Sequence, residues 1–267
     1  MSKRYHISIS NSQHVGGYRM DEASIKHLNA INRRFYEITA SNFDQTRGTA
    51  WPGWEKLRPY LSNVQSVLDV GCGNGRFGLF VAEAADQTLL RYHGVDNNAP
   101  LLDFAKAALE PVPNLHVTLT QQDVIDSPHT PDFCCYGLVV LFGVLHHVPG
   151  MDQRRAFMRR LADWVAAGGL LVFASWRFYE YARFQQRVVP WPDYFAEFGV
   201  SGADVTPEAH DYLLDWRRGE RALRYCHYVD DTEQDLLIAA SGLQHVETYR
   251  ADGASGDANC YSVLRKS

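Results

Sequence analysis

The run Val67-Leu-Asp-Val-Gly-Cys-Gly-Asn-Gly75 places glycines at positions 71, 73 and 75, directly after a short apolar stretch. Glycines there let a chain turn sharply and bring its backbone within contact distance of a ligand, with a helix N-terminus behind it. Asp96 follows about twenty residues past the loop. An acid at that place accepts both hydroxyls of a ribose; the plainer alternative is a helix cap. Asp123 closes the next apolar run and is placed to meet an adenine amino group. A dinucleotide fingerprint G-x-G-x-x-G begun at Gly71 would need glycine where Arg76 stands, so a nicotinamide dehydrogenase ranks last among the readings.

The elements that must carry these residues follow from periodicity. Ser66–Val70, Leu89–Val95, Leu115–Thr120, Tyr136–Leu141 and Leu170–Ala174 read as strands. Helices are expected from Arg76 to about Ala85, from Pro100 onward and from Met151 to Val165, the last stopped by Gly168-Gly169. Strands alternating with helices imply crossover units and a parallel sheet covered on both faces. In such sheets ligands sit at the strand carboxyl ends, so the loop, Asp96 and Asp123 converge on one crevice. Ile25, Leu28, Ile31, Phe35 and Ile38 form one helical stripe from Asp21 to about Ala40, and a short helix is expected around Glu55–Leu61. An irregular, aromatic and arginine-rich stretch from Ser175 to Tyr225 interrupts the pattern, too long for an ordinary connection and so read as a functional cap. Asp230–Ser241 is a last helix. Leu243–Tyr249 and Asn259–Arg265 form an antiparallel hairpin around a Gly-rich turn.

With 267 residues, 46% of them hydrophobic, the chain suits one large domain or at most two small ones. Its formal net charge of −5 excludes a uniformly basic nucleic-acid binder but not a local basic face. Residues 1–60 are net +4 and residues 151–225 net +1, whereas 61–150 are net −6 and 226–267 net −4. Of the basic residues 21 are arginine, a fork suited to phosphates and carboxylates, or else a mark of genome base composition. The run Arg154, Arg155, Arg159 and Arg160 is expected on a solvated helix face. The five cysteines show no C-x-x-C spacing, so neither paired disulfides nor a metal site is expected. No apolar run approaches the roughly 20 residues of a membrane helix, and no secretory signal is read in Met1–Gly17; a cytoplasmic protein is expected.

The glycine loop, Asp96, Asp123 and the terminal hairpin resemble a class I S-adenosylmethionine-dependent methyltransferase over roughly residues 60–267. The resemblance implies an α/β fold: a seven-stranded Rossmann-like sheet, mostly parallel, with a C-terminal antiparallel hairpin and helices on both faces. A narrower resemblance lies in Tyr36-Glu-Ile-Thr-Ala-Ser-Asn-Phe-Asp-Gln-Thr-Arg47 with Trp51-Pro52, in Val144-Leu-His-His147, in Trp176 with Val189-Pro-Trp191, and in Arg224-Tyr-Cys-His-Tyr228. These are similar to the wobble-uridine tRNA methyltransferases, which esterify 5-carboxymethyluridine. Pro192–Leu213 has no counterpart there, and Cys226 stands where that family more often has an aromatic residue.

The resemblance implies S-adenosylmethionine as cofactor, tRNA as partner and an activator subunit as a possible one. The chain then divides into an N-terminal helical lid (1–60) and a methyltransferase domain (61–267) with a cap at about 176–225. The candidate cofactor-binding residues are Tyr36, Arg47, Trp51, Asp69, Gly71, Cys72, Gly73, Asn74, Gly75, Asp96, Asn97, Asp123, Val124, Phe142 and Val144. The candidate catalytic residues are Arg47, His146, His147 and Trp176. Arg47 would grip a carboxylate of substrate or cofactor through two bonds. One of the histidines would orient substrate or act as a base for a less acidic nucleophile, the other bonding to backbone. Tyr36, Trp51 and Trp176 would wall the pocket. Arg224 and His227 touch RNA or support the cap. Cys72 is a small loop residue, not a nucleophile. The alternatives are a small-molecule O- or N-methyltransferase and a non-catalytic cofactor-binding scaffold that needs a partner.

Overall fold

The apolar runs of the middle of the chain form strands because both their faces are covered. In the computed structural model, which describes residues 19–45, 48–85, 89–126, 135–216 and 220–267, they are β1 (Ser66–Val70), β2 (Leu90–Asp96), β3 (Leu115–Gln121), β4 (Tyr136–Phe142) and β5 (Val165–Trp176). These five are parallel, in the order β3-β2-β1-β4-β5. The C-terminal hairpin extends the same sheet. Its second strand, Asn259–Arg265, pairs antiparallel with β5, and its first, Gln244–Ala251, forms the edge.

Alternate residues of the central strands feed two cores. Val67, Leu138, Val140 and Phe142 meet the helices α2 (Arg58–Leu61), α3 (Arg76–Ala84) and α4 (Ala99–Leu109) on one face. Leu68, Val70, Val139 and Leu141 meet the helix α5 (Met151–Trp164) and the last helix, Asp231–Ser241, on the other. Burial on both faces is why β1 is apolar apart from Ser66 and Asp69, all five of its residues being buried.

Two expectations about local structure change. Gly168-Gly169 does not stop α5, which ends at Trp164; both glycines lie inside β5. Gly168 has φ +75°, and the register with β4 shifts between Tyr136 and Leu138. The Gly168 amide donates to the Lys266 carbonyl at 2.9 Å and the Lys266 amide to the Gly169 carbonyl at 3.0 Å, so strand pairing holds the irregularity in place. The cap, in turn, is not irregular. It contains a second, antiparallel sheet of β6 (Val188–Val189), β7 (Asp211–Trp216) and β8 (Ala222–His227), with short helices α6 (Ala182–Gln185) and α7 (Trp191–Phe198). The N-terminal helix α1 (Glu22–Gln45) packs on this sheet through Leu28, which shares a core with Tyr194, Leu213 and Tyr225.

Arg154 is not solvated, as its place in an arginine run suggested, but 1% exposed. Its guanidinium donates to Glu233 Oε1 at 2.5 Å, Glu208 Oε2 at 2.9 Å and the Val148 carbonyl at 3.1 Å. His227 lies beside it, with Asp211 and Glu233 each at 2.7 Å. This buried network ties α5 to the cap and to the helix that follows it, α8 (Asp231–Ser241). The hairpin strands are β9 (Gln244–Ala251) and β10 (Asn259–Arg265). Among the described residues no helix is long and apolar enough to cross a membrane.

Candidate active site

A cavity of about 500 Å³ opens at the carboxyl ends of β1, β2 and β4, roofed by α1, the Trp51–Trp54 segment and the cap. Its floor is the glycine loop. The Gly71 and Cys72 amides donate to the Val95 carbonyl at 2.7 and 3.1 Å, which fixes the loop to β2. Gly71 has φ +76°, and a Cβ there would overlap the Val144 side chain, so only glycine lets the loop press against the segment after β4. Asn74 is buried and lines the cavity with Gly71, Cys72 and Gly73. Gly75 stands behind the loop instead, at the start of α3 and against Leu109 and Ala105.

Asp96 is not the helix cap. Asn98 caps α4, its Oδ1 accepting from the Leu101 amide at 3.0 Å. Asp96 accepts the Gly73 amide on Oδ2 and the Asn98 amide on Oδ1, both at 2.9 Å, and its carboxylate lines the cavity. Asp123 takes the Ile125 and Asp126 amides on Oδ1, while its Oδ2 meets Arg33 at 3.2 Å and Asn97 at 3.4 Å. Asp69 is 2% exposed and accepts from the Tyr92 hydroxyl at 2.6 Å. Burial pushes its carboxyl up to about 7 against the pull of that bond. Burial also raises Asp96. The Cys72 thiol, raised by burial and by Asp69 and Asp96, stays protonated.

This end of the cavity is therefore acidic and lightly solvated, with backbone close enough to touch a ligand. A ligand bearing a sulfonium and an ammonium charge, a ribose and an adenine matches that lining. Asp69 and the glycine loop would hold its amino-acid part, Asp96 its ribose, and Asp123 with Val124 its base. S-adenosylmethionine is a ligand of that kind, and bound there it would supply a methyl group activated by the sulfonium charge.

The roof is held from the far end of the chain. Trp51 and Trp54 stack at 5.4 Å, and Trp51 leans on Phe142 at 6.3 Å. The Gly53 amide between them donates to Asp252 Oδ1 at 2.7 Å. Asp252 Oδ2 also accepts from Asn259 Nδ2 at 2.7 Å and the Tyr261 hydroxyl at 2.5 Å.

At the opposite end, Tyr36, His146, His147 and Trp176 line the same cavity. His147 Nδ1 lies 3.0 Å from the Tyr225 carbonyl and Nε2 2.9 Å from the Tyr36 hydroxyl. Burial and the Arg224 charge press its pKa down to about 3, against that carbonyl's pull, so the ring is neutral. His146 packs on Trp176 at 5.3 Å. His146, His147 and Cys226 bring ligand-type atoms within 4.8 Å of one another. Both nitrogens of His147 are already engaged, however, and burial lifts the Cys226 thiol to about 11. Arg224 is 9% exposed, with its guanidinium 4.6 Å from the Trp176 ring centre and 5.2 Å from that of Phe35.

The cavity thus gathers the expected residues from Tyr36 to Trp176, apart from Gly75 behind the loop and Arg47, which lies outside the described residues. Sequence reasoning missed Arg33 and Asp252 and left Arg224 between two roles. Asp252 sits in a Gly-rich turn far from the loop it serves, which offers no local signal; Arg33 is one turn from Tyr36 on α1, on the same face.

Comparison with known proteins agrees with this geometry. Residues 68–171 match a family model described as a methyltransferase domain. The chain is 26% identical to the tRNA (carboxymethyluridine(34)-5-O)-methyltransferase of Saccharomyces cerevisiae, over 64% of this chain and 60% of that protein. It is 25% identical to the Arabidopsis thaliana protein of the same name, over 58% of this chain and 35% of that one. The matches thus span between about a third and three fifths of these relatives' length. Among solved structures, the N-methyltransferase NodS of Bradyrhizobium japonicum in complex with S-adenosyl-L-homocysteine aligns over 92% of this chain and 99% of its own, with TM-score 0.52 and 17% identity. Residues 68–171 thus resemble a methyltransferase domain, and the chain has the fold of the class I S-adenosylmethionine-dependent methyltransferases.

Proposed function

We propose that the protein methylates the carboxymethyl group of a modified wobble uridine in tRNA, forming an ester. The observation that carries this reading is Arg224. It is buried at the acceptor end of the cavity between two aromatic rings, and among the described residues no carboxylate lies within ion-pair distance of it. A guanidinium held out of water without a counter-ion favours an anion in its place, and its planar fork suits a carboxylate.

An acceptor carboxylate is ionised at neutral pH, so no side chain has to remove a proton. That agrees with a site in which His147 is neutral and hydrogen-bonded on both nitrogens. Arg224 orients the carboxylate, Trp176 and Tyr36 exclude water, and rate enhancement comes mainly from alignment, which contributes up to about 7–11 kcal/mol. α1 and the cap sheet wall the acceptor side. The names of the two tRNA-modifying relatives support tRNA as the acceptor.

The test is methyl transfer from labelled S-adenosylmethionine to bulk tRNA with and without carboxymethylated wobble uridine. Label should enter only the carboxymethylated pool and leave as methanol under mild alkali, as an ester does. Arg224→Ala and Arg224→Lys should both lower kcat/KM strongly, since lysine lacks the fork. Base-stable label would overturn the ester in favour of another atom of the RNA, and no label with S-adenosyl-L-homocysteine binding intact would overturn the assignment in favour of a small-molecule acceptor or a scaffold.

A further inference from the structure

Aromatic rings and arginines continue outward from the acceptor end, beyond what the cofactor and one acceptor group require. Phe184 meets Trp176 edge-on at 4.8 Å. On its solvent side Arg183 lies 4.8 Å from the Phe184 ring centre and 5.5 Å from that of Tyr181, and Arg187 lies 6.0 Å from Phe184. Arg183 is exposed yet lines the cavity, so it stands at the rim. Nearby Arg250 is neutralised by Glu180 at 2.6 Å. Among the described residues, neither Arg183 nor Arg187 has a carboxylate within ion-pair distance.

A half-buried ring flanked by unneutralised guanidiniums suits an unstacked base with its phosphate: every base has a face to stack, and every phosphate attracts a fork. A small acceptor that enters the cavity whole has no use for it. We propose that Phe184, Arg183 and Arg187 form a shelf for the nucleotide adjoining the one that enters the cavity, in a single-stranded stretch of RNA. Phe184 stacks the neighbouring base and the arginines hold its phosphates. The inference rests on the reading of the acceptor as a nucleotide within RNA.

The test is fluorescence anisotropy of the full chain with a labelled, unmodified anticodon stem-loop RNA over a range of salt. Phe184→Ala should weaken binding roughly ten-fold, within the range for loss of one stacked base, and Phe184→Trp should restore it. Arg183→Ala with Arg187→Ala should weaken binding and shallow the salt dependence by about 0.7 for each phosphate that is no longer neutralised. Affinity for S-adenosyl-L-homocysteine reports whether each variant remains folded. Wild-type RNA affinity and salt slope in these variants would overturn the shelf, as would a wild-type chain that does not bind the RNA. The acceptor reading is scored separately, by methylation of free 5-carboxymethyluridine and of the carboxymethylated stem-loop. RNA binding that depends on the shelf, with neither acceptor methylated, would keep the shelf and remove that reading.

Discussion

The Tyr36 hydroxyl donates to His147 Nε2 across 2.9 Å, and the direction of that bond is set on the other side of the ring. His147 Nδ1 lies 3.0 Å from the Tyr225 carbonyl, which can only accept, so Nδ1 carries the proton and Nε2 is bare. Tyr36 thereby offers its oxygen lone pairs, not its proton, to the cavity it lines. The relationship joins α1 to β8 through one imidazole, and the Tyr225 amide repeats the link by donating to Asn32 Oδ1 at 3.0 Å.

His147 should therefore behave as a neutral ring throughout the working range. With its pKa pressed to about 3, its NMR signals should not titrate between pH 8 and pH 5. Tyr36→Phe leaves Nε2 a buried acceptor without its hydroxyl donor and should cost about 1–3 kcal/mol in urea denaturation. A His147 signal that titrates near 6.5 would refute the tautomer and the neutral charge together.

The clamp on the roof gives a second prediction. A Cβ on Gly53 would stand 2.5 Å from a Tyr261 ring carbon, and that ring is fully buried. Gly53→Ala must displace the ring or the Trp51–Trp54 segment, at a cost of about 1–3 kcal/mol. Asp252→Asn turns one acceptor of three donated bonds into a donor and should loosen the same segment. Both variants should weaken S-adenosyl-L-homocysteine binding in calorimetry and alter tryptophan emission. Unchanged emission and affinity would show that the roof does not depend on the hairpin.

The cofactor loop predicts a sharper loss. Gly71→Ala combines a positive φ, which costs an L-residue about 1–2 kcal/mol, with overlap against Val144. Asp96→Ala removes the proposed ribose acceptor and the anchor of the Gly73 amide, whereas Asp96→Asn keeps the shape. Calorimetry should show Gly71→Ala and Asp96→Ala raising the dissociation constant by more than about ten-fold, that is, by more than 1.4 kcal/mol. Unaltered affinity in Asp96→Ala would place the ribose elsewhere.

These residues divide by how far their physics reaches along the chain. The central strands and the glycine loop were legible because burial on both faces and a tight turn leave local marks, and Asp96 because one strand separates it from the loop. Arg154 was misread because the helix pattern shows only its own neighbours, and its partners Glu208 and Glu233 lie 54 and 79 positions away. Asp252 had no local mark at all, since Gly53 is 199 positions distant. The cap strands β7 and β8 were hidden because one of their faces, with Leu213 and Tyr225, is covered by Leu28 of α1, which is far away in sequence. Gly168-Gly169 carried the mark of a helix stop, but strand pairing with the C-terminal segment outweighed it.

Two buried histidines should shape stability against pH with opposite signs. His227, 2% exposed, has Asp211 and Glu233 at 2.7 Å on its two nitrogens. Burial and Arg154 oppose its charge, but the carboxylates outweigh them and raise its pKa above 6.5. Its contribution is complete below 6.5 and is lost as pH rises through that raised value. His147, lowered from 6.5 to about 3, contributes fully above 6.5 and loses that contribution as pH falls toward 3. Urea denaturation of the wild type, His227→Gln and His147→Gln across pH separates the two. The advantage of the wild type over His227→Gln should be greatest at or below 6.5 and shrink on the alkaline side. Its advantage over His147→Gln should be greatest above 6.5 and shrink on the acid side, by about 1.4 kcal/mol for each unit of pKa displacement. A stability gap for His227→Gln that does not change with pH would mean that His227 is not charged in the fold, and that Arg154 alone balances Asp211, Glu208 and Glu233.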